Sequence, residues 1–324
     1  MSKPTICIVS PALAAANNGN WQTARRWAQF LRTRYGVAIA ADWPTAPAAA
    51  PDLLVALHAR RSAAALKRFC QAFPARPTVL VLTGTDLYRD IHTDPAAQAS
   101  LERATALVLL QPAGLAELAP ALRAKAHVIY QSAGALQPAV HAAAPRHHDI
   151  AMVGHLREEK DPRTFMQAAA LVQAPSARLL HIGGALDPAL GQLAEATAHQ
   201  LPRYQWLGAL PHADTRQRLK HCHAMALCSR MEGGANVIIE AVTSGVPVLA
   251  SDISGNRGML GDDYLGYFPP GDAAALAALI ERSIADPAWY AALRAQCAAR
   301  APLFSPQAEQ AALLDLVDNL LHTN

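Results

Sequence analysis

The stretch from Ala224 to Ser251 opens with the apolar run Ala224-Met225-Ala226-Leu227-Cys228. It passes through Ser229-Arg230-Met231-Glu232-Gly233-Gly234-Ala235 into Asn236-Val237-Ile238-Ile239-Glu240-Ala241, and restarts as Gly245-Val246-Pro247-Val248-Leu249-Ala250-Ser251. Short unbroken apolar runs suit parallel strands buried on both faces. The order is therefore strand, loop, helix, strand, and in open α/β sheets ligands collect at the C-terminal ends of strands, where this loop would fall. Glu232 and Glu240 stand about two helical turns apart, so one carboxylate can sit at the helix mouth while the other leaves its flank. Carboxylates accept paired hydrogen bonds from vicinal diols. Gly233, Gly234 and Ala235 leave backbone N–H groups unobstructed at a helix N-terminus, where an anion is favoured. The stretch fits a cradle for a sugar-linked diphosphate; it would equally serve as a glycine-rich helix start with two solvated glutamates.

Working outward, the same alternation covers the chain. Apolar runs at Ile6–Val9, Val37–Ala41, Leu53–Leu57, Thr78–Leu82, Ala106–Leu110 and His127–Tyr130 are interleaved with helical segments around Trp21–Arg34 and Ser62–Phe73. A second series runs through Ile150–Val153, Leu179–Ile182, Tyr204–Leu207, Ala224–Cys228, Val246–Ala250 and Tyr267–Phe268. Such alternation indicates parallel βα units. Between the series, Gln131 to His148 lapses into alanine, proline and histidine, the composition of a linker. The expected fold class is α/β, with two Rossmann-like domains over residues 1–135 and 148–304 facing across a central cleft. An amphipathic helix within 305–324 is placed to cross back onto the first domain.

Bulk properties narrow the function classes. The 324 residues are 52% hydrophobic and 16% charged, enough for two domains with a large core. Alanine-rich runs such as Ala273 to Ala278 are helix-compatible, and no apolar stretch approaches the ~18 residues of a membrane span. The N-terminus enters a strand at Thr5 without a basic leader and apolar plug, so a cytoplasmic location and no stable membrane association are expected. A formal net charge of +3, with 28 basic residues dispersed among 25 acidic ones, does not suggest nucleic-acid binding. The five cysteines are scattered without a C-x-x-C pair, against a disulfide framework or structural zinc. His221-Cys222-His223 reads as alternating along a strand with no second ligand pair, so no metal site is expected.

Several stretches together resemble the type 4 family of GT-B glycosyltransferases over nearly the whole length. Pro51 to His58 looks like the family's strand ending in histidine, and Thr83-Gly84-Thr85-Asp86-Leu87 like its later N-domain loop. Gly154-His155-Leu156-Arg157-Glu158-Glu159-Lys160-Asp161 resembles the segment opening the C-terminal domain, and Glu232 to Glu240 the two-glutamate motif with Asn236. The resemblance implies that Arg157 and Lys160 bind the diphosphate in place of a divalent metal, with no cofactor beyond the UDP-sugar substrate. It implies that Glu232 holds donor-sugar hydroxyls and Glu240 the ribose. Arg157, Lys160 and Glu232 are thus the candidate catalytic residues, and Gly19, Gly233, Gly234, Ala235, Asn236, Val237 and Glu240 the candidate donor-binding ones. A guanidinium and an ammonium beside a diphosphate stabilise the charge that grows as the glycosidic bond breaks. Gly19 is a lone glycine where relatives carry a glycine-rich loop, and Gly234-Ala235 replaces a bulkier aromatic and proline, widening the space near the sugar.

A narrower resemblance is to the selenosugar synthase branch of that family. It is carried by Leu57-His58-Ala59-Arg60-Arg61-Ser62, Leu82 through Asp90, Tyr130-Gln131-Ser132 and Ser229 to Asn236 followed by Gly255-Asn256. It implies transfer of N-acetylglucosamine from UDP to selenophosphate. Such an anion is ionised and nucleophilic at neutral pH, so the site needs positive charge more than a strong base. His58, Arg60, Arg61, Thr85, Asp86 and Arg89 are the candidate acceptor-binding residues, with Arg25 or Arg26 as further cations and Asp86 read as a loop-fixing or orienting group. The alternatives are a type 4 enzyme using a hydroxyl or lipid acceptor, and a nucleotide-sugar binding protein without turnover.

Overall fold

The computed structural model describes residues 3–11, 19–43, 50–137 and 146–322. The chain forms two compact units, Met1–Ser132 with Pro306–Asn324, and Ala133–Ser305.

In the first unit six strands, β1 (Thr5–Val9), β2 (Gly36–Ala40), β3 (Leu53–Leu57), β4 (Thr78–Leu82), β5 (Ala106–Leu109) and β6 (Ala126–Val128), form one parallel sheet ordered β2-β1-β3-β4-β5-β6. The strand alternation sorts its core into two layers. Ile6, Ile8, Leu53, Val55, Leu57, Val79, Val81 and Val108 point to one face. There they meet Ala24, Trp27 and Leu31 of the Gly19–Leu31 helix and Leu313, Leu316 and Val317 of the Pro306–His322 helix. Leu54, Ala56, Leu80, Leu82, Leu107 and Leu109 point the other way, onto Leu66 and Phe69 of the Ala63–Ala72 helix and Leu101.

The Pro306–His322 helix is fastened by polar groups as well as by packing. Glu309, fully buried, accepts from Arg26 Nε (2.7 Å), Trp27 Nε1 (2.7 Å) and Ser132 Oγ (2.5 Å). Nine residues on, about two and a half turns, Asp318 takes Arg34 and the Tyr35 hydroxyl. The guanidinium of Arg26 is committed to this clasp. That corrects the expectation of Arg26 as a cation open to a substrate.

In the second unit β7 (His148–Val153), β8 (Ala177–Ile182), β9 (Tyr204–Trp206), β10 (Ala224–Leu227), β11 (Val248–Ser251) and β12 (Tyr267–Phe268) form a parallel sheet ordered β12-β11-β10-β7-β8-β9. The expected linker falls partly on residues 138–145, outside the described residues; Ala133 N–H donates to Phe304 O and Leu136 N–H to Thr243 O. His221 to His223 form the turn ahead of β10, which corrects the expected strand. The ring of His223 stacks on Tyr290 with centroids 4.2 Å apart. Each strand order reverses direction once, between β1 and β3 in the first sheet and between β7 and β10 in the second. Such switch points leave a crevice at the strand C-termini where ligands bind.

Candidate active site

In the second unit the loops leaving β7 and β10 lie side by side, because these strands are paired through Ala224 with Ile150 and Met225 with Ala151. After β7 the chain passes Gly154 and forms a tight turn at Glu158–Lys160. Gly183 makes this path passable: a Cβ there would stand 1.9 Å from the Gly154 carbonyl oxygen. Lys160 Nζ donates to Glu232 Oε1 at 2.5 Å, with the two side chains 15% and 10% exposed. Arg157, just before the turn, is exposed, and its guanidinium forms no ion pair with any described residue.

Glu232 lies at the base of the loop that Gly233, Gly234 and Ala235 carry into the Asn236–Val242 helix. Ala235 caps that helix without a side-chain hydrogen bond, and Asn236 and Val237 are half-buried at its mouth. Gly255 packs against the loop so closely that a Cβ would meet the Glu232 carbonyl oxygen at 1.9 Å. Beside it, Asn256 Nδ2 donates to the Ser251 carbonyl (2.8 Å), and Ser251 Oγ to the Ser229 carbonyl (2.5 Å), tying β10 to β11. Glu240, on the helix and 8% exposed, binds His212 Nε2 through Oε1 at 2.7 Å. One ammonium, one open guanidinium and two carboxylates thus surround one switch point. The set can neutralise a diphosphate and accept from sugar hydroxyls.

In the first unit the acceptor candidates gather at the C-terminal ends of β3 and β4. His58 follows β3 directly in a left-handed conformation (φ 75°) and is buried. Its Nδ1 accepts from the Arg61 N–H (3.3 Å), so the proton sits on Nε2 and points to Thr85 Oγ1 (3.3 Å). Burial lowers the His58 pKa; the Asp86 and Asp90 carboxylates oppose this and Arg61 and Arg60 reinforce it. Asp86 is fully buried and accepts from the N–H groups of Ala59 (2.8 Å), Thr83 (2.9 Å) and Gly84 (2.8 Å). Both oxygens accept from the loop backbone, so Asp86 fixes the loop, as its reading as a loop-fixing group expected.

Asp90 receives Arg60 Nε (2.9 Å) and Arg89 Nε (3.1 Å). Burial pushes its carboxyl up, but the hydrogen bonds from the two arginines more than reverse this and leave it below the ordinary carboxylate value. Arg61 is exposed and forms no ion pair with any described residue. Gly19, the remaining donor candidate, begins the Gly19–Leu31 helix in the first unit, where its carbonyl accepts from Thr23 Oγ1; residues 12–18 before it lie outside the described residues.

His212, Arg230, Asp161 and Gly183 went unrecognised in the sequence reading as parts of this arrangement. For His212 the sequence holds no signal, because it lies on another helix 28 residues before its partner Glu240. Among the described residues no group of three His, Cys, Asp or Glu side chains is placed to hold a metal ion, and no helix is long and apolar enough to cross a membrane.

The family model for glycosyl transferases group 1 matches residues 136–303, just over half of the chain. The chain belongs to the glycosyl transferases group 1. The matched region of this glycosyl transferase contains Arg157, Lys160, Glu232 and Glu240, whereas the candidates of the first unit lie outside it. Among solved structures it is similar to a sucrose-phosphate synthase from Thermosynechococcus elongatus, with a TM-score of 0.81 at 18% identity, covering 99% of this chain and 100% of that one. It is also similar to HepE from Anabaena, solved with UDP and glucose, with a TM-score of 0.76 at 16% identity, covering 99% and 100%. Its two six-stranded parallel sheets are those of the GT-B fold. A curated relative, glycosyltransferase 1 domain-containing protein 1 of Xenopus tropicalis, is 28% identical over 121 residues, 37% of this chain. That match spans about a third of the relative's own length, 35%.

Proposed function

We propose that this glycosyl transferase is a selenosugar synthase, moving N-acetylglucosamine from a UDP-sugar to selenophosphate. The observation that carries the donor half is the Lys160–Glu232 contact at the switch point of the second sheet, with Arg157 on the same loop and Glu240 on the adjoining helix. The solved relative HepE, which holds UDP and glucose, supports a UDP-sugar. In this reading the selenium bonds to the anomeric carbon as the bond from that carbon to the diphosphate oxygen breaks, and UDP leaves with the electron pair. Arg157 and Lys160 take up its charge without a metal. Water then cleaves the selenium–phosphorus bond, releasing phosphate and the 1-selenosugar.

For the acceptor half, Arg61 offers an open guanidinium and Thr85 a hydroxyl at the ends of β3 and β4. Arg60 and Arg89 are held beside them by Asp90. An anionic nucleophile needs positive charge from this loop pair rather than a base, and neutral His58, with both nitrogens engaged, offers none. The test is incubation of the purified protein with UDP-N-acetylglucosamine, with and without selenophosphate, followed by mass spectrometry. UDP release that needs selenophosphate and a product containing selenium and sugar is the expected result. Release with an alcohol or lipid acceptor, or UDP-sugar binding without release, would overturn it.

A further inference from the structure

We propose that Asp161 and Arg230 are positioning residues of the donor site, a latch that holds Lys160 at a fixed distance from Glu232; this rests on reading the β7 and β10 loops as the UDP-sugar site. The two loops touch at three points. The Arg230 N–H donates to the Glu159 carbonyl at 2.9 Å, Arg230 Nε donates to Asp161 Oδ2 at 3.1 Å, and Lys160 Nζ meets Glu232 Oε1 at 2.5 Å. Lys160 and Asp161 are consecutive, as are Arg230, Met231 and Glu232. The latch is therefore immediately beside the pair it positions.

The backbone explains why an aspartate stands there. Asp161 adopts φ 47° and ψ 57°, the left-handed region, which among non-glycine residues aspartate and asparagine enter most readily. Pro162 follows as the first residue of the Pro162–Leu171 helix and disfavours the right-handed helical conformation in the residue before it. The left-handed step closes the Glu158–Lys160 turn, with the Asp161 N–H donating to the Glu158 carbonyl at 3.0 Å. Residues held in such conformations persist where the surroundings over-determine them, and they cluster at functional sites.

The side chain supplies that determination. Its carboxylate is 3% exposed and accepts from Thr164 Oγ1 (2.9 Å) and Arg230 Nε, whereas Arg230 itself is 63% exposed. Truncating Arg230 leaves a buried carboxylate with one neutral donor, and the Lys160 turn loses its tie to the glutamate loop. The consequence falls on donor binding, because Lys160 and Glu232 serve the same ligand from different loops.

The experiment compares Asp161→Ala, Asp161→Asn, Arg230→Ala and the Asp161→Ala/Arg230→Ala double variant. It reads UDP affinity by calorimetry, donor KM against kcat, and thermal melting. UDP affinity and donor KM are expected to worsen roughly ten-fold in either alanine variant with kcat changed less, and the double variant to be no worse than the poorer single one, as for residues acting as a unit. Asp161→Asn, which keeps the acceptor and tolerates the left-handed backbone, is expected to restore most of the loss. Wild-type UDP affinity in Arg230→Ala, or additive losses in the double variant, would overturn the latch. If Asp161→Ala does not fold, Arg230→Ala and Asp161→Asn decide the matter. Lys160→Ala and Glu232→Ala serve as controls: weakened UDP-sugar binding there with intact latch variants sinks the latch alone, and unchanged binding in both controls sinks the donor-site reading.

Discussion

At the residue scale, the site rests on a few contacts of short range. Lys160→Ala and Glu240→Ala each remove a charged partner, worth ~1.5–3 kcal/mol, so kcat/KM for the UDP-sugar is expected to fall roughly ten- to a hundred-fold in each while the melting temperature stays near that of the parent. Steady-state kinetics alongside circular dichroism checks both halves of that statement. Gly255→Ala acts on the loop backbone rather than on a charged side chain. Its methyl would stand 1.9 Å from the Glu232 carbonyl, so the loop must shift, and donor kcat/KM is expected to drop about a hundred-fold by misplacing Glu232. The two glutamates were legible as neighbours in the sequence because one loop and one helix fix their spacing, whereas Arg157 and Lys160, on the other loop, were reached only through the resemblance of their segment. His212 and the Asp161–Arg230 tie were not, because a side-chain contact between separate elements leaves no spacing to read. Asp86 was legible as a polar loop residue, but only its three backbone donors reveal that its oxygens are used up.

At the scale of elements, strand positions followed from apolar runs, and nine of the twelve strands among the described residues begin within one residue of those runs. β7 and β8 start two residues early, at His148-Asp149 and Ala177-Arg178, where half-buried polar side chains interrupt the apolar signal, and β11 starts two residues late, after Pro247. The Asp86–Asp90 segment winds as a π-helix, a geometry with no sequence periodicity of its own. The Pro306–His322 helix was legible as amphipathic, but Glu309 in its first turn reads as a solvated carboxylate favoured there by the helix dipole. Instead it is the buried centre of a four-donor clasp of Arg26 Nε and Nη2, Trp27 and Ser132. Glu309→Ala strands those donors and is expected to destabilise the first unit by roughly 3–5 kcal/mol, read as a lower urea midpoint.

At the scale of the whole molecule, acid sensitivity follows from two histidines of the second unit, buried His181 and half-buried His223. His181 donates from Nε2 to the Gly154 carbonyl and accepts at Nδ1 from the Tyr204 hydroxyl; burial pushes its pKa down from 6.5 to about 4. Burial likewise pushes His223 down to about 4, helped by neighbouring His148. Above 6.5 the folded and unfolded chains are both neutral at these sites and stability is flat. Between 6.5 and 4 the unfolded chain takes up protons that the folded chain refuses, so stability falls as pH falls, by up to ~1.4 kcal/mol per pH unit for each histidine. Urea denaturation across that range is expected to show this slope, and His181→Asn to reduce it to the share of His223. The thiols are also governed by burial: Cys7 is pushed up to about 11 and Cys222 to about 12, and Cys228 and Cys297 are raised as well. Half-buried Cys70 is expected to react first with a thiol reagent.

The clasp at Glu309 also has a bearing on biosynthesis. Ribosomes deliver a chain from its amino end, and domains generally fold as units while they emerge. Residues 133–305 are continuous and can close their own core once they have left the exit tunnel. The first 132 residues, though made earlier, wait with the part of one sheet face that the Gly19–Leu31 helix does not cover, and with Trp27 beside it, lacking the Leu313, Leu316 and Val317 layer until residues 306–322 arrive. The half translated first is the half completed last, and during that interval the uncovered part of its sheet face is the surface a chaperone would meet.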